Sequence, residues 1–297
     1  MSRSQQGLLL GVLAYLLWSV LSLYWKLLAG VSPYATFSYR IIWSVVTMLV
    51  YMLVTRQKRR FKQELLALYK DKKQLGRASL AAAMIALNWV TYIYAIAQGQ
   101  ATQASLGYYM MPLVSVLLAL FVLREQLTRA TGLAVLVAAI GVSVLVYVTG
   151  QLPYVTLILA FSFGFYGLLK KDTVLSSDVA MLFEAGLIAP IVLLYLIVFN
   201  KESLFDYSAT ENVPLALSGV VTAVPLLLYA EALKRAPLNL VGFIQYMNPT
   251  LQLLIALFIF KESISHGQLY GLVFIWIAII IFILEQVVIL RKKKTDG

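Results

Sequence analysis

The chain has 297 residues, of which 61% are hydrophobic and 12% are charged, and its formal net charge is +11. This composition carries far more apolar surface than a water-soluble domain can bury, so it indicates an integral membrane protein. The absence of cysteine from the sequence excludes disulfides, thiol catalysis and thiolate metal sites. Most basic residues fall in short segments between apolar runs, where they are typical of cytoplasmic anchoring, so nucleic acid is not needed to explain the charge.

The apolar runs predict the number of membrane crossings. A helix needs about 20 apolar residues to cross a bilayer core of roughly 30 Å. The first run lacks a signal-peptide cleavage pattern, so we interpret it as the first span. The ten predicted spans cover residues 7–27, 34–55, 78–97, 104–123, 130–149, 153–169, 179–199, 213–233, 240–260 and 269–289. We therefore predict an all-α integral membrane protein, with residues 1–297 forming a single membrane domain of ten transmembrane helices.

The fourth and ninth predicted spans share landmarks that indicate an internal duplication. Pro112 and Glu125 recur at one spacing as Pro249 and Glu262, each pair enclosing an apolar run. Self-similarity of this kind predicts two structural repeats. Because five crossings reverse the direction of the chain, the second repeat is predicted to be inverted. The two five-helix repeats are predicted to cover residues 7–149 and 153–290.

The distribution of basic residues predicts the orientation. If alternate loops lie in the cytoplasm, that side receives Arg3, the basic residues of 56–77, Arg124, Arg129, Lys170, Lys171, Lys234, Arg235 and the tail 291–294. The other side keeps only Lys201 and Lys261. The positive-inside rule then places both termini in the cytoplasm. Inverted repeats are typical of alternating-access transporters, and a structural protein that arose by duplication is the alternative.

Residues 56–77 mix basic side chains with Leu65, Leu66, Leu68 and Tyr69. The pattern favours a helix on the membrane surface that meets anionic lipid headgroups. A topology determinant without a ligand is the alternative.

Ionisable residues inside the predicted spans cost roughly 2.5–3.5 kcal/mol each near a helix centre, so each needs a partner or a polar surround. They are Lys26, Arg40, Glu184, Glu231 and Glu285. Lys26 and Glu285 lie near helix ends, where they can reach the interface. Glu231 has Lys234 as a neighbour on the same helix face.

Arg40 and Glu184 lie deeper than the other three. For Glu184, the basic residues Lys170 and Lys171 are the predicted partners. Arg40 and Glu184 are either fixed structural anchors or the groups that carry gating and, for Glu184, proton coupling.

Two prolines lie inside predicted spans and indicate helix breaks. A proline in a helix frees the carbonyl four residues earlier, which for Pro112 is that of Tyr108 and for Pro249 is that of Gln245. Free carbonyls at membrane depth are tolerated beside a cavity. Together with polar stripes on neighbouring helices they predict a substrate cavity lined by Trp18, Asn88, Tyr92, Tyr108, Gln245 and Asn248. The alternative is polar contact between packed helices without a cavity.

Enzymatic chemistry has little support in the sequence. His266, the only histidine, lies in a predicted loop, and neither a GxSxG motif nor a P-loop is present. We therefore expect no enzyme, no catalytic residue, no metal and no cofactor. Without a nucleotide-binding motif, transport would depend on proton or solute gradients, and an ion channel is a further alternative.

Five motifs together resemble those of one known family. They are Asn-Trp at 88–89 with Tyr92, Ser-Leu-Gly-Tyr at 105–108 leading to Pro112, FGFYGLLKK at 163–171, TAVPL at 222–226 and GFIQY at 242–246. Over nearly the whole chain the sequence resembles the RarD family of EamA-type permeases in the drug/metabolite transporter superfamily.

The resemblance implies a ten-helix inner-membrane transporter whose site is lined mainly by spans one, three, four, six, eight and nine. By name, the family is associated with chloramphenicol sensitivity. This chain departs from it in having Trp18-Ser19 where the family has Trp-Gly. It also lacks the acidic residue expected before Arg40, within residues 34–36, which leaves the partner of Arg40 open.

The predicted function is secondary transport of a small organic metabolite or drug, in the direction of export. An importer of amino-acid-like solutes is the alternative. The expected partners are a small-molecule substrate and the lipid bilayer, and a homodimer stays open.

Overall fold

The computed structural model describes residues 2–98, 101–150, 154–171, 173–200, 206–259 and 266–295. Within these ranges every regular element is an α-helix. In chain order they are α1 (Arg3–Lys26), α2 (Pro33–Val54), α3 (Lys58–Lys70), α4 (Lys72–Ala97), α5 (Ala101–Phe121), α6 (Arg129–Thr149), α7 (Tyr154–Lys171), α8 (Ser177–Val198), α9 (Ala209–Arg235), α10 (Leu238–Ile244), α11 (Met247–Phe258) and α12 (His266–Thr295). Eight are long and apolar enough to cross a membrane: α1, α2, α4, α5, α6, α8, α9 and α12. The chain is therefore an all-helical, multi-pass membrane protein, as its composition predicts.

Local capping groups fix where several helices begin and end. Ser2 and Gln5 cap α1 reciprocally, each side chain accepting the backbone N–H of the other residue at 3.2 and 2.8 Å. Such a capping box satisfies donors that the first turn leaves free. Thr128 caps α6 through its side chain, and α6 ends at Gly150 with a φ of 73°, a conformation that glycine adopts at little cost.

Several helices extend a few residues beyond their predicted spans, and two of the predicted spans differ more clearly from the structure. The predicted third span began at residue 78, whereas α4 starts at Lys72. The larger correction concerns the predicted span 240–260, because the described chain forms two helices there, α10 and α11, separated at Gln245 and Tyr246.

The helix predicted within residues 56–77 is confirmed as α3. Its Phe61 and Leu68 are only 1% and 2% exposed, because they pack in a cluster with Leu175 and Val179 at the start of α8. Arg60 of α3 forms an ion pair with an aspartate in the first turn of α8. The apolar face of α3 therefore covers protein.

The first and second halves of the chain pack against each other in reciprocal pairs. Helix α1 packs on α9 and α7 packs on α4, while α5 packs on α7 and α11 packs on α1. Three further contacts join α2 to α8, α5 to α10 and α6 to α12. The contact of α1 with α9 thus corresponds to that of α7 with α4, with the two halves exchanged. The contact of α5 with α7 corresponds in the same way to that of α11 with α1.

Contacts between connecting segments divide the bundle into two ends. At one end, Arg3 donates to the carbonyl of Lys234 at 3.4 Å, and Lys171 lies 3.5 Å from Glu125. We call this the basic end. At the other end, the hydroxyl of Tyr24 donates to the carbonyl of Pro214. We call it the opposite end. Lys201 and Lys261, which were predicted to lie there, are outside the described residues.

Helices α6 and α12 approach each other through two glycines. A Cβ atom on Gly141 would lie 2.7 Å from the carbonyl oxygen of Gly271, and one on Gly271 would lie 2.9 Å from that of Gly141. Small residues permit such backbone contact between membrane helices. The two helices thus form a closely packed pair.

Candidate functional site

Arg40 lies about two turns inside α2, near the opposite end, among aromatic side chains. Its guanidinium carbon is 4.1 Å from the ring centre of Trp89, 5.4 Å from that of Trp25 and 6.0 Å from that of Phe37. At such distances a ring face attracts the cation by up to about 2 kcal/mol where water is excluded. These four residues join α1, α2 and α4, and we call them the arginine cage.

The hydrogen-bonding edge of Arg40 is incompletely used. Its Nε is buried without a hydrogen-bond partner. No described aspartate or glutamate forms an ion pair with it. A buried donor left without a partner costs about 1–3 kcal/mol, so Arg40 is held by ring faces rather than by a carboxylate.

Tyr92 and Tyr108 extend the arginine cage. Their ring centres are 5.6 Å apart, and both side chains lie near Arg40. Tyr92 is 36% exposed, so its ring forms an outer wall of the cage. The sequence predicted these tyrosines for a substrate cavity and Arg40 for gating, and the structure brings the three together.

Glu184 is held by residues of α7. Lys170 Nζ lies 2.8 Å from its carboxylate, and the hydroxyl of Tyr166 donates to it at 3.1 Å. The side chains of Lys170 and Glu184 are 3% and 8% exposed. Of the two predicted partners only Lys170 forms the pair, because Lys171 donates instead to the carbonyl of Ala236 at 2.8 Å. Removing one member of such a buried pair typically costs about 3–5 kcal/mol.

A small cavity separates Glu184 from the arginine cage. Its volume is about 20 Å³, and Trp89, Ser44 and Thr222 line it together with Glu184. That volume suits one water molecule with polar neighbours. The hydroxyl of Thr222 is buried and has no partner among the described residues. Trp89 therefore faces both Arg40 and the cavity beside Glu184.

Trp18 belongs to an aromatic cluster at the centre of the bundle. Its ring centre is 5.3 Å from that of Tyr15, 5.6 Å from that of Tyr229 and 6.2 Å from that of Phe163. The cluster joins α1, α7 and α9. Tyr15 and Tyr229 are each 1% exposed, and the sequence analysis did not single them out.

Asn88 joins α4 to α7. Its amide donates to the carbonyl of Leu159 at 2.9 Å and to the hydroxyl of Ser162 at 3.0 Å, and the residue is 3% exposed. These bonds use both amide hydrogens for contacts between helices. A role for Asn88 in a substrate cavity stays a prediction.

Gln245 and Asn248 flank the break between α10 and α11. The side-chain oxygen of Gln245 accepts from Ser115 of α5 at 3.5 Å. That of Asn248 accepts from a glutamine of α11 at 3.0 Å and lies 3.4 Å from the hydroxyl of Ser19 of α1. Both amide residues are buried. The break therefore gathers polar side chains from three parts of the chain.

The backbone at this break corrects one expectation from the sequence. The carbonyl of Gln245 is not free, because it accepts the N–H of Asn248 at 3.0 Å. Pro249 instead occupies the first turn of α11, where proline is tolerated because first-turn N–H groups need no partner within the helix. Its counterpart Pro112 lies inside α5, which runs unbroken from Ala101 to Phe121, so the helix break predicted at Pro112 is wrong.

Glu125 has a role that the sequence analysis missed. Its carboxylate accepts the N–H groups of Leu238 and Asn239 at 2.9 Å each, which caps the start of α10, and it also pairs with Lys171. The available signal was the short connection after α9, since Pro237 begins a new helix whose first N–H groups need an acceptor. Glu125 was recognised only as a landmark of the repeat.

A crevice of about 1070 Å³ opens at the basic end between α1, α10 and α12. Leu8, Phe243 and Phe282 line its apolar part, and Lys234 and Arg235 lie among its polar residues. None of the residues predicted for the substrate cavity is among the described residues that line this crevice. It is thus separate from the arginine cage, but it reaches the helix break through Ile244 and Met247.

These features define a multi-pass helical membrane protein with buried charged and amide side chains inside its bundle, the class to which solute transporters belong. The sequence model of the EamA-like transporter family matches residues 5–147 and again residues 153–284. The chain belongs to this family.

Full-length relatives agree with this assignment. The chain is 40% identical to "Uncharacterized transporter YojE" of Bacillus subtilis, covering 99% of each chain. It is 33% identical to "Protein RarD" of Escherichia coli, covering 98% of each. It is also 27% identical to "Chloramphenicol-sensitive protein RarD" of Pseudomonas aeruginosa, covering 100% of each. The resemblance to RarD-type EamA permeases is confirmed, and the chain is a membrane transporter.

A solved crystal structure shares the fold. It matches with a TM-score of 0.70 and 17% identity, covering 94% of this chain and 98% of the other. At this identity the match concerns the fold alone.

Proposed function

We propose that this transporter exports a small organic metabolite or drug across the cytoplasmic membrane by alternating access. The observation that carries the proposal is the break at Gln245 and Tyr246, where buried polar side chains of α1, α5 and α11 meet. Irregular backbone at membrane depth is tolerated where it is buried in protein or lines a cavity. Broken helices of this kind form the substrate sites of many transporters.

The proposed architecture has ten spans in two inverted repeats over residues 7–149 and 153–290. It adds two spans to the eight that satisfy length and hydropathy, namely α7 and the pair α10 and α11. Helix α7 has 18 residues and ends in two lysines, while the other span is interrupted. The reciprocal packing of the two halves supports the repeat, as does the double match to one family.

The proposed orientation places the basic end in the cytoplasm, together with both termini. The positive-inside rule supports it, because Arg3, Arg60, Lys171 and Lys234 share that end. Contacts of the described residues support a common side for these segments, since Arg3 reaches the carbonyl of Lys234. The cytoplasmic membrane is the proposed location.

Within this architecture, Trp18, Asn88, Tyr92, Tyr108, Gln245 and Asn248 are the proposed substrate contacts. Glu184 is the proposed proton-coupling group, because it lies beside a water-sized cavity and its charge is balanced by a single lysine. Arg40 is the proposed group at the outer gate, since it lies near the opposite end.

A second candidate function is import of amino-acid-like solutes. The arginine cage favours it, because a cation without an acidic partner near the outer side would meet the carboxylate of an incoming solute. Export and import share the same site and differ in the driving gradient.

Flux through sealed proteoliposomes tests the proposal. Purified protein is reconstituted, a pH gradient of either sign is imposed, and movement of a labelled metabolite library that includes chloramphenicol is followed in both directions. Asn248→Leu should abolish flux. Gln286→Leu, which changes an amide on the α12 wall of the crevice, should retain it.

If correctly inserted protein moves no solute in either direction, the proposed transport mechanism is refuted. A steady ionic current under voltage alone, without an organic solute, would replace it with a channel. Flux in the inward direction alone would favour the import candidate.

A further inference from the structure

Two described cations inside the bundle, Lys170 and Arg40, have different partners. Lys170 has the carboxylate of Glu184 at 2.8 Å. Arg40 has a buried Nε without a partner and no ion pair with any described carboxylate. A guanidinium carries five N–H donors and cannot lose its charge in a protein. An anion from outside the described chain would satisfy the donors of Arg40.

The arginine cage surrounds the guanidinium with rings and leaves its Nε–H without a described partner. Trp89 lies 4.1 Å from the guanidinium carbon and Trp25 lies 5.4 Å from it, and such rings interact through their faces. Carboxylates bind in the other direction, along the plane, and accept two parallel N–H bonds. Ring faces and a carboxylate can therefore hold the same arginine together.

The tyrosine side chains beside Arg40 further restrict the chemistry of the ligand. Tyr92 is 36% exposed beside the cage, and its ring lies 5.6 Å from that of Tyr108. Two hydroxyls near Arg40 can donate further hydrogen bonds to an anion, while the surrounding rings offer apolar area. The expected ligand has one carboxylate on an apolar or aromatic body.

We propose that Arg40, with Tyr92 and Tyr108, binds the carboxylate of the transported solute, so that the substrates are organic acids or amino acids with an apolar body. The proposal rests on the proposed function only in taking the bound acid to be the transported solute. Trp25 and Trp89 are then positioning residues, because they orient the guanidinium through its faces.

Matched acids and amides test the site without transport. Detergent-purified full-length protein is titrated with 3-phenylpropionate and L-phenylalanine, and with their neutral primary amides, by calorimetry and ligand-induced thermal shift. The wild type should bind at least one acid about tenfold more tightly than its amide, since charge-assisted bidentate bonds are the strong ones. The amide keeps the body and removes only the charge.

Three variants assign the preference to the guanidinium. Arg40→Gln should abolish the preference for acid over amide. Arg40→Lys should keep part of the preference, because the ammonium group retains the charge but cannot form the two parallel hydrogen bonds of a guanidinium. Lys26→Gln removes an exposed cation at the end of α1, and it should change the preference by less than about twofold, as expected for a screened surface charge.

Equal binding of acid and amide by the wild type would overturn the proposal, as would an unchanged preference in Arg40→Gln or no binding of any probe. If Arg40→Gln does not insert, Arg40→Lys and Tyr108→Phe decide in its place, and full affinity for the acid in both would refute the site. Failure of the transport proposal is distinguishable. Acid binding that needs Arg40 but produces no flux would support this site and refute the transport proposal. Flux of uncharged solutes that survives Arg40→Gln would support the transport proposal and refute this site.

Discussion

The buried pair of Lys170 and Glu184 gives the sharpest prediction. Glu184→Gln removes the carboxylate that lies 2.8 Å from Lys170 Nζ, where the two side chains are only 3% and 8% exposed. The glutamine still offers Tyr166 an acceptor, so the main loss is the neutralising charge. An uncompensated buried charge typically costs about 3–5 kcal/mol. We expect the free energy of unfolding to fall by that amount.

Unfolding by sodium dodecyl sulfate in mixed micelles, followed by tryptophan fluorescence, measures this change. The double variant Lys170→Met with Glu184→Gln removes both charges and should recover most of the lost stability, because neutral replacements leave no charge unpaired. Glu231→Gln is the matched control. Its pair with Arg235 is about one-third exposed, and such pairs contribute about 0–1 kcal/mol.

The reasoning is refuted if Glu184→Gln loses less than about 1 kcal/mol, which is within the range of an exposed pair. Additive losses in the double variant would also refute it, since they would mean that the two charges do not interact. Flux then separates stability from coupling. A double variant that regains stability but no longer responds to a pH gradient would assign proton coupling to the pair of Lys170 and Glu184.

Three further predictions use the chain's other contacts. Gly141→Ala in α6 should lose about 1–3 kcal/mol of stability, because the added methyl group crowds the backbone of α12. The control Gly132→Ala, on the same helix, meets open space and should be neutral or stabilising by up to about 1 kcal/mol. Melting temperatures of the two variants test this. Asn88→Leu should lower the ligand-free melting temperature, costing about 1–3 kcal/mol for the acceptors left on α7, and should also lose the ligand-induced shift. An unchanged shift would remove Asn88 from the proposed substrate contacts. Single cysteines at Gln63 and Ala29, introduced into a chain without native cysteine, should label from opposite sides of the membrane, and labelling from one side would overturn the proposed topology.

The sequence was most informative about the helices because membrane burial requires long apolar runs. Eight described helices satisfy that requirement directly, and α3 was predicted from its amphipathic pattern. The break before α11 was located less well. Pro249 marked the region, but proline is compatible with a first helical turn, so the chain is irregular at Gln245 and Tyr246 and helical from Met247 onwards.

Side-chain partners were harder to predict, because they depend on helices distant in sequence. Lys170 and Lys171 are adjacent and chemically identical, and only the rotation of α7 decides which one meets Glu184. Asn88 shows the same limit. An amide suits a substrate or a neighbouring helix equally well, and the position of Ser162 on α7 determines the partner that the structure has.

The two proline-containing regions connect the arginine cage to the proposed mechanism. Under the proposed repeat, Pro112 in α5 and Pro249 in α11 are counterparts, yet α5 is continuous while the second region is broken. Alternating access requires the two halves to adopt different conformations at the same time, so this asymmetry is what one state of such a transporter needs. Pro112 lacks the N–H that would bond the carbonyl of Tyr108, which makes α5 easier to break at that point. Because Tyr108 lies beside Arg40, a break there would change the arginine cage itself and couple acid binding to the exchange of states.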